Sequence, residues 1–427
     1  MIEFITLFLG GLVTGPRPVE IMAGNTVAIV EVWLDGELEE RLSAPPWKLE
    51  VDFGPELSPH ALEAVALDSR QRELARARQW INMSPQVAQS SLLIEGAEEG
   101  KGAVARVSWE SLAKTDEPES IEVYFDGQQL ATDDPRSIQL PPFDPDRTHH
   151  MRVRLEFTEV LFSETEAVFG GVYGNEISAE ISAVPIRFDK GRKPKSAQAM
   201  RDWFTVGGVP QNVHAVEKGL AEIVVVRDLA TIPRLTKLAA QADRPETDIH
   251  LKKHHRVSFV SPCPEVIPRD GFRQLVYPRS QRYSSKDGTL LKLLSGVVPA
   301  NCTEQGQQIA DAVAIAGLSA SGDGLRRVVL LLIDGEPRDL GGFAPAQVVA
   351  YLERMRVPLL IWNLGPPDGP ETQWGEATSV RKLRRLGKAF NLLEKDLERQ
   401  LIVWLEGLHL PPSVELRPGV EDITLLE

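Results

Sequence analysis

VVLLLIDGE, residues 328–336, sets six apolar residues in succession and closes on Asp334-Gly335-Glu336. An apolar run without polar alternation suits a strand buried on both faces, and the acidic residue at its end marks the return to water. EIVVVRD at 222–228 is built the same way and ends on Asp228. Around these two, EQGQQIADAVAIAG at 304–317 has the apolar spacing of an amphipathic helix, with Gly317 as its stop. The helix PAQVVAYLERMR at 345–356, the strand VPLLIWNLG at 357–365, a helix around 378–399 and the strand RQLIVWLEG at 399–407 follow in turn. LTKLAAQ at 235–241 also reads as helix, and DIHLKKHHRVSFVS at 248–261 and GFRQLVYP at 271–278 read as strands. Strands alternating with helices predict an α/β domain over residues 200–427 with a mostly parallel sheet covered on both faces. In such a sheet ligands bind beyond the carboxyl ends of the strands, where strand order reverses. With 222–228 as first strand, 328–333 as fourth and an order of 3-2-1-4-5-6, Asp228 and Asp334 fall side by side at that point.

The first 188 residues have a different texture. AIVEVWLDGE at 28–37, KLEVDFG at 48–54 and ALEAVALD at 61–68 are short alternating runs broken by Gly and Pro, the pattern of an all-β sandwich. Asp35-Gly36 is a hairpin turn signal. The pattern returns near 91 residues later: VEVWLDGE at 30–37 is matched by IEVYFDGQ at 121–128, and SPHALEAVALD at 58–68 by RTHHMRVRLEF at 147–157. Two copies of one β-sandwich, 1–84 and 85–188, are therefore expected. DKGRKPKSAQ, polar and basic, then marks a linker over 189–199.

A length of 427 residues fits two to four domains, and 42% hydrophobic with 25% charged residues is ordinary for a folded protein. The net charge of −14 argues against nucleic acid, which demands a concentrated positive surface. FITLFLGGLVTG at 4–15 is about half the length of a membrane span. No transmembrane segment is expected, and with Glu3 and no basic residue ahead of it this run reads as strand and turn rather than signal peptide. There is no Gly-x-x-x-x-Gly-Lys loop, GLSASG at 317–322 lacks nucleophile-elbow spacing, and no Cys/His cluster has zinc spacing. His250, His254 and His255 read as a solvated face, His149-His150 as a turn position equivalent to His60, and Trp33 and Tyr124 as core residues of the two sandwiches. The basic row Arg381, Lys382, Arg384, Arg385 and Lys388 reads as the wet side of a helix, with an acidic partner as the alternative.

EIVVVRD, IADAVAIAG, VVLLLIDGE and VPLLIWNLG, with LRRLGKAFNLLEKDLERQLIVWL at 383–405, together resemble a von Willebrand factor type A domain, and the leading Ig-like repeats resemble the arrangement in a group of bacterial proteins containing that domain. The resemblance implies a divalent-cation site, formed by Asp-x-Ser-x-Ser after the first strand, a Thr from a later loop and the Asp after the fourth strand. Mg²⁺ takes octahedral oxygen ligands, and hydroxyls leave one position free for an acidic residue of the partner. Here the motif reads Asp228-Leu229-Ala230-Thr231-Ile232, so both serine positions have lost their oxygen. Gln307 falls where the Thr is expected, with Thr303 displaced nearby. Asp228, Asp334 and Thr303 thus form a degenerate metal set, and the two carboxylates are expected to cap neighbouring turns instead of holding Mg²⁺. Cys263, after one strand, and Cys302, before the 304–317 helix, belong on the same edge of the sheet; they read either as a disulfide or as two buried thiols.

The expectation is a non-catalytic interaction, adhesion or assembly protein with an unidentified protein ligand and no cofactor, placed by the resemblance in the periplasm, at the cell surface or secreted. A metal-dependent adhesion module using Asp228, Thr303 and Asp334 is the first alternative, and an enzyme with an unrecognised site the second.

Overall fold

The computed structural model describes residues 2–6, 12–83, 89–95, 100–110, 118, 120–132, 134, 136–156, 162–171, 181–189, 191–194, 196–242, 251, 253, 255–269, 272–285, 290–296, 302–303, 306–321, 324–366 and 371–427. His250, His254, Lys190, Lys195, Gly322 and the centre of the 4–15 run lie outside them.

Ala221–Arg227 pairs in parallel with Arg326–Ile333, Val226 against Leu331, and with Arg256–Val260 on its other side. Leu359–Asn363 and Thr378–Ser379 extend the sheet in parallel beyond the fourth strand, and Tyr283–Ser284 closes the opposite edge antiparallel. The six-stranded order is thus third, second, first, fourth, fifth, sixth in chain sequence. Alternate side chains of each strand enter two cores. Ile223, Val225, Val328 and Leu330 pack under helices Ile232–Ala242, Leu290–Gly296 and Leu383–Glu398. Val224, Val226, Val329 and Leu331 pack under helices Ile309–Ser321 and Pro345–Arg354. Gly317 does not stop its helix. It lies inside, where a Cβ would collide with Leu352, so its smallness lets the two helices approach.

The N-terminal repeats are sandwiches with matching sheets. Glu37–Leu42, Ile29–Leu34, His60–Leu67 and Glu73–Ile81 form a four-stranded sheet in the first, and Gln128–Leu130, Ser120–Phe125, His149–Glu156 and Phe162–Phe169 form its counterpart in the second. Three-stranded sheets complete each one. The Asp-Gly turns recur with both residues at positive φ, 53° and 85° at Asp35-Gly36 and 47° and 77° at Asp126-Gly127, which only a primed hairpin turn requires. The Asp side chain is then fixed by a histidine of the neighbouring strand, His60 Nδ1 at 2.7 Å from Asp35 and His149 Nδ1 at 2.7 Å from Asp126.

Gln400–Glu406, expected to close the parallel sheet, does not join it. It pairs antiparallel with Ile181–Phe188 and with Val213–Glu217, and Ile423–Leu425 adds to the other side of 181–188. A three-stranded sheet, Val209–Pro210, Phe204–Val206 and Val414–Leu416, faces it across a core containing Ile186, Phe204, Leu401, Val403 and Val414. This third β-body takes its strands from both sides of the α/β domain, whose chain enters after Glu217 and leaves before Gln400. The boundary expected at 188 therefore runs through the middle of one sheet. GFRQLVYP is likewise outside the parallel sheet: Phe272–Val276 folds onto Glu265–Arg269 as a separate hairpin. Among the described residues no helix is long and apolar enough to cross a membrane.

The sandwiches are docked on the α/β domain. Leu57 of the first is buried in the core beneath helix Pro345–Arg354, Tyr351 Oη donates to the Asn82 carbonyl at 2.8 Å, and Arg354 donates to Ser58 Oγ at 2.7 Å. The second sandwich meets the amino ends of the parallel strands through carboxylates and guanidinia. Arg256 donates to Glu122 at 2.6 Å and Glu156 at 2.7 Å, Arg282 reaches Glu156 at 3.0 Å, and the fully buried Glu222 accepts from Arg279 at 2.6 Å and Ser258 at 3.0 Å. Burial would raise the Glu156 pKa, but Arg256, Arg154 and Arg282 outweigh it and hold the group below its ordinary value. Tyr124 is buried, yet its contact is this junction: the Arg152 guanidinium lies 4.4 Å over its ring and 5.2 Å from that of Trp404, and pairs with Glu217, both partners fully buried.

Candidate functional site

Asp228 and Asp334 come together at the carboxyl ends of the first and fourth strands. The backbone N–H of Asp334 donates to Asp228 Oδ2 at 3.3 Å, and the Asp228 N–H to the Leu332 carbonyl at 2.9 Å. Asp228, 2% exposed, caps the turn Leu229–Thr231 by accepting from the Ala230 N–H at 3.1 Å. The same oxygen accepts from Gln307 Nε2 at 3.1 Å, while Gln307 Oε1 accepts from the Leu229 N–H at 2.8 Å. Gln307 is itself buried, so one amide side chain serves the carboxylate and a turn donor together, away from water.

Asp334 is held differently. The Arg234 guanidinium, in the first turn of helix Ile232–Ala242, lies 2.7 Å from Asp334 Oδ2 and donates from Nη1 to the Leu364 carbonyl at 3.0 Å. Asn363 Oδ1 accepts from the Gly335 N–H at 3.0 Å and the Gly365 N–H at 2.7 Å, which folds the chain after the fifth strand over Asp334. A Cβ on Gly365 would stand 2.7 Å from Asp334 Oδ1, so this approach requires glycine. The loop beyond is tied to helix Ile309–Ser321: Asp339 accepts from the Ile309 and Ala310 N–H groups at 2.8 Å each, and Asp311 from the Gly342 N–H at 2.9 Å. Tyr277 Oη donates to Asp311 at 2.9 Å, and burial followed by that carboxylate pushes its phenol pKa far up.

Thr303 is exposed, and no described hydrogen bond joins its side chain to either carboxylate. Cys263 and Cys302 are bonded, with Cα atoms 5.5 Å apart, and link the loop after strand Arg256–Val260 to the segment before helix Ile309–Ser321. His255, expected on a solvated face, is fully buried. The signal for Arg234 was available: a cation in a helical first turn opposes the macrodipole unless a carboxylate faces it. Asp311 and Asp339 had no comparable signal, since the groups that bond them, backbone N–H groups and the Tyr277 hydroxyl, lie about 30 residues away.

This donor set does not fit octahedral Mg²⁺. Ala230 and Ile232 offer no side-chain oxygen, Asp228 Oδ1 already accepts two hydrogen bonds, and a guanidinium occupies the approach to Asp334. Among the described residues no three His, Cys, Asp or Glu side chains are grouped as metal ligands. Arg227, immediately before Asp228, is buried against Phe259, and that burial lowers its pKa to about 10.

No family model and no curated protein matches the chain. Among solved structures, fibronectin(III)-like modules of Clostridium thermocellum CbhA align at 17% identity over 19% of this chain and 93% of theirs, with a TM-score of 0.18. Proximal thread matrix protein 1 of the mussel byssus, solved with a zinc-occupied MIDAS motif, aligns at 16% identity over 43% of this chain and 47% of its own, with a TM-score of 0.28. The central fibronectin-III array of RIM-binding protein aligns at 10% identity over 48% and 79%, with a TM-score of 0.21. Scores this low carry no argument about this chain's activity.

Proposed function

We propose that the chain is a non-catalytic interaction or assembly protein, and that its α/β domain is a von Willebrand factor type A-like platform whose partner contact passes through no bound cation. The observation that carries this reading is that protein groups engage both carboxylates at the carboxyl ends of the first and fourth strands. The Gln307 amide satisfies Asp228 and the Arg234 guanidinium neutralises Asp334. A further support is mechanical: the Asp339 and Asp311 ties and the Cys263–Cys302 bond hold the rim of the sheet in place, as a pre-organised binding surface requires. The disulfide also supports an oxidising compartment, hence a site of action outside the cytoplasm.

Titration calorimetry of the full chain with MgCl₂ and MnCl₂ at millimolar concentration tests the reading. No saturable heat is expected. Stoichiometric binding abolished by Asp228→Ala would overturn it in favour of metal-dependent adhesion.

A further inference from the structure

Beside Arg234 a cavity of about 470 Å³ opens between helices Ile232–Ala242 and Leu383–Glu398. Arg234, Lys237, Arg381 and Lys382 line it, with Leu238, Leu364 and Leu383 among its apolar walls, and among the described residues every charged side chain in its lining is cationic. Arg234 is matched by Asp334, which leaves three positive charges over at the cavity. Arg384, Arg385 and Lys388 continue the positive surface along the exposed side of the helix.

The local arrangement costs stability. Leu383–Glu398 has no acidic residue in its first turn, Lys382 at its N-cap makes no side-chain capping bond, and its acids gather at the other end. That order opposes the macrodipole, which favours anions at the amino end and cations at the carboxyl end. An electrostatic conflict without an intrahelical remedy is the mark of a site shaped for something besides folding. The cations and the amino end of the helix add to one positive field, in a chain whose net charge is −14.

The structure assigns this cavity as the docking point for an acidic segment of a protein partner, with a carboxylate side chain entering between Lys237, Arg381 and Lys382. This inference rests on the binding-platform reading above and names its partner class. A nucleic acid or an anionic membrane would bring its charge against the acidic remainder of the chain, whereas a short peptide engages only the patch. Leu383, the partly exposed leucine of the lining, supplies apolar contact that a free inorganic anion would not use.

The test is fluorescence anisotropy of the full chain with fluorescein-labelled hexaglutamate, and with hexaglutamine as the neutral control. Saturable, salt-sensitive binding of hexaglutamate alone is expected, weakened about tenfold by Lys237→Glu/Arg381→Glu/Lys382→Glu and unchanged by Arg70→Glu on the first sandwich. Acids at the helical amino end suit the dipole, so the unfolding temperature of the triple variant should hold or rise. If it falls, the corresponding triple Gln variant carries the test. Absence of saturable binding, equal weakening by Arg70→Glu, or competition by sodium phosphate as strong as by unlabelled peptide would each overturn the assignment. Binding that appears only with MgCl₂ would instead overturn the cation-free reading, which separates the two failures.

Discussion

The two ends of the parallel sheet use the same chemistry, carboxylate against guanidinium, in opposite settings. At the amino end, Glu222 is fully buried and lies near Arg282, which also reaches Glu156 of the second sandwich, and the neighbouring Arg152–Glu217 pair is fully buried between that sandwich and the third β-body. At the carboxyl end, Asp334 meets an Arg234 whose side chain is 44% exposed. A buried pair cannot lose one member without stranding the other charge away from water, so it fixes how the second sandwich and the third β-body meet the sheet. An exposed pair is weak, screened by salt and available to a third party. Burial thus separates a structural joint from a binding surface where residue type does not.

The sharpest way to break this contrast is Arg152→Ala, which removes a fully buried guanidinium from Glu217 inside the junction and should cost about 3–5 kcal/mol in chemical denaturation. Gln307→Ala removes one donor from buried Asp228 and the acceptor of the Leu229 N–H, and a loss of about 1–3 kcal/mol is expected by the same measurement.

A pH titration of thermal stability sharpens the junction further. Burial, then the charges of Arg152 and His214, hold the His150 pKa well below its ordinary 6.5, while the ring packs on Trp404. His150 therefore contributes stability that is present above about pH 6.5 and lost as pH falls below it, because only the unfolded chain takes up the proton. His149 runs the other way. Burial lowers its pKa, but hydrogen bonds to Asp126 and the Asp144 carbonyl raise it overall, so its contribution is present below pH 6.5 and fades above. His150→Phe should flatten the acid limb of the profile; an unchanged limb would remove His150 from the account.

Arg234→Ala should change stability least, by about 0–1 kcal/mol. A cost equal to that of Arg152→Ala would erase the distinction between the two ends.

Much of the fold was legible because its signals are local. VVLLLIDGE and EIVVVRD announce buried parallel strands and place an Asp at the end of each, and the structure makes them neighbours. The repeated Asp-Gly turn and its histidine mark both sandwiches. The candidate site was half legible: the missing serine oxygens and the position of Gln307 could be read directly. What stands in for them could not, since an amide's reach across 79 residues to Asp228 leaves no periodic trace.

By itself, then, the sequence determined the main strands of the parallel sheet and most of the helices that cover it, and that two carboxylates end adjacent strands without the hydroxyls a cation needs. Only the tertiary structure decided that Gln400–Glu406 leaves the α/β domain to pair with Ile181–Phe188, that Glu222 and Glu217 are sealed in a joint, and that Arg234 covers Asp334. The reason is physical. Hydrophobic period fixes an element's type within a few residues, whereas its partner is chosen by long-range pairing and desolvation, which depend on the whole chain having closed.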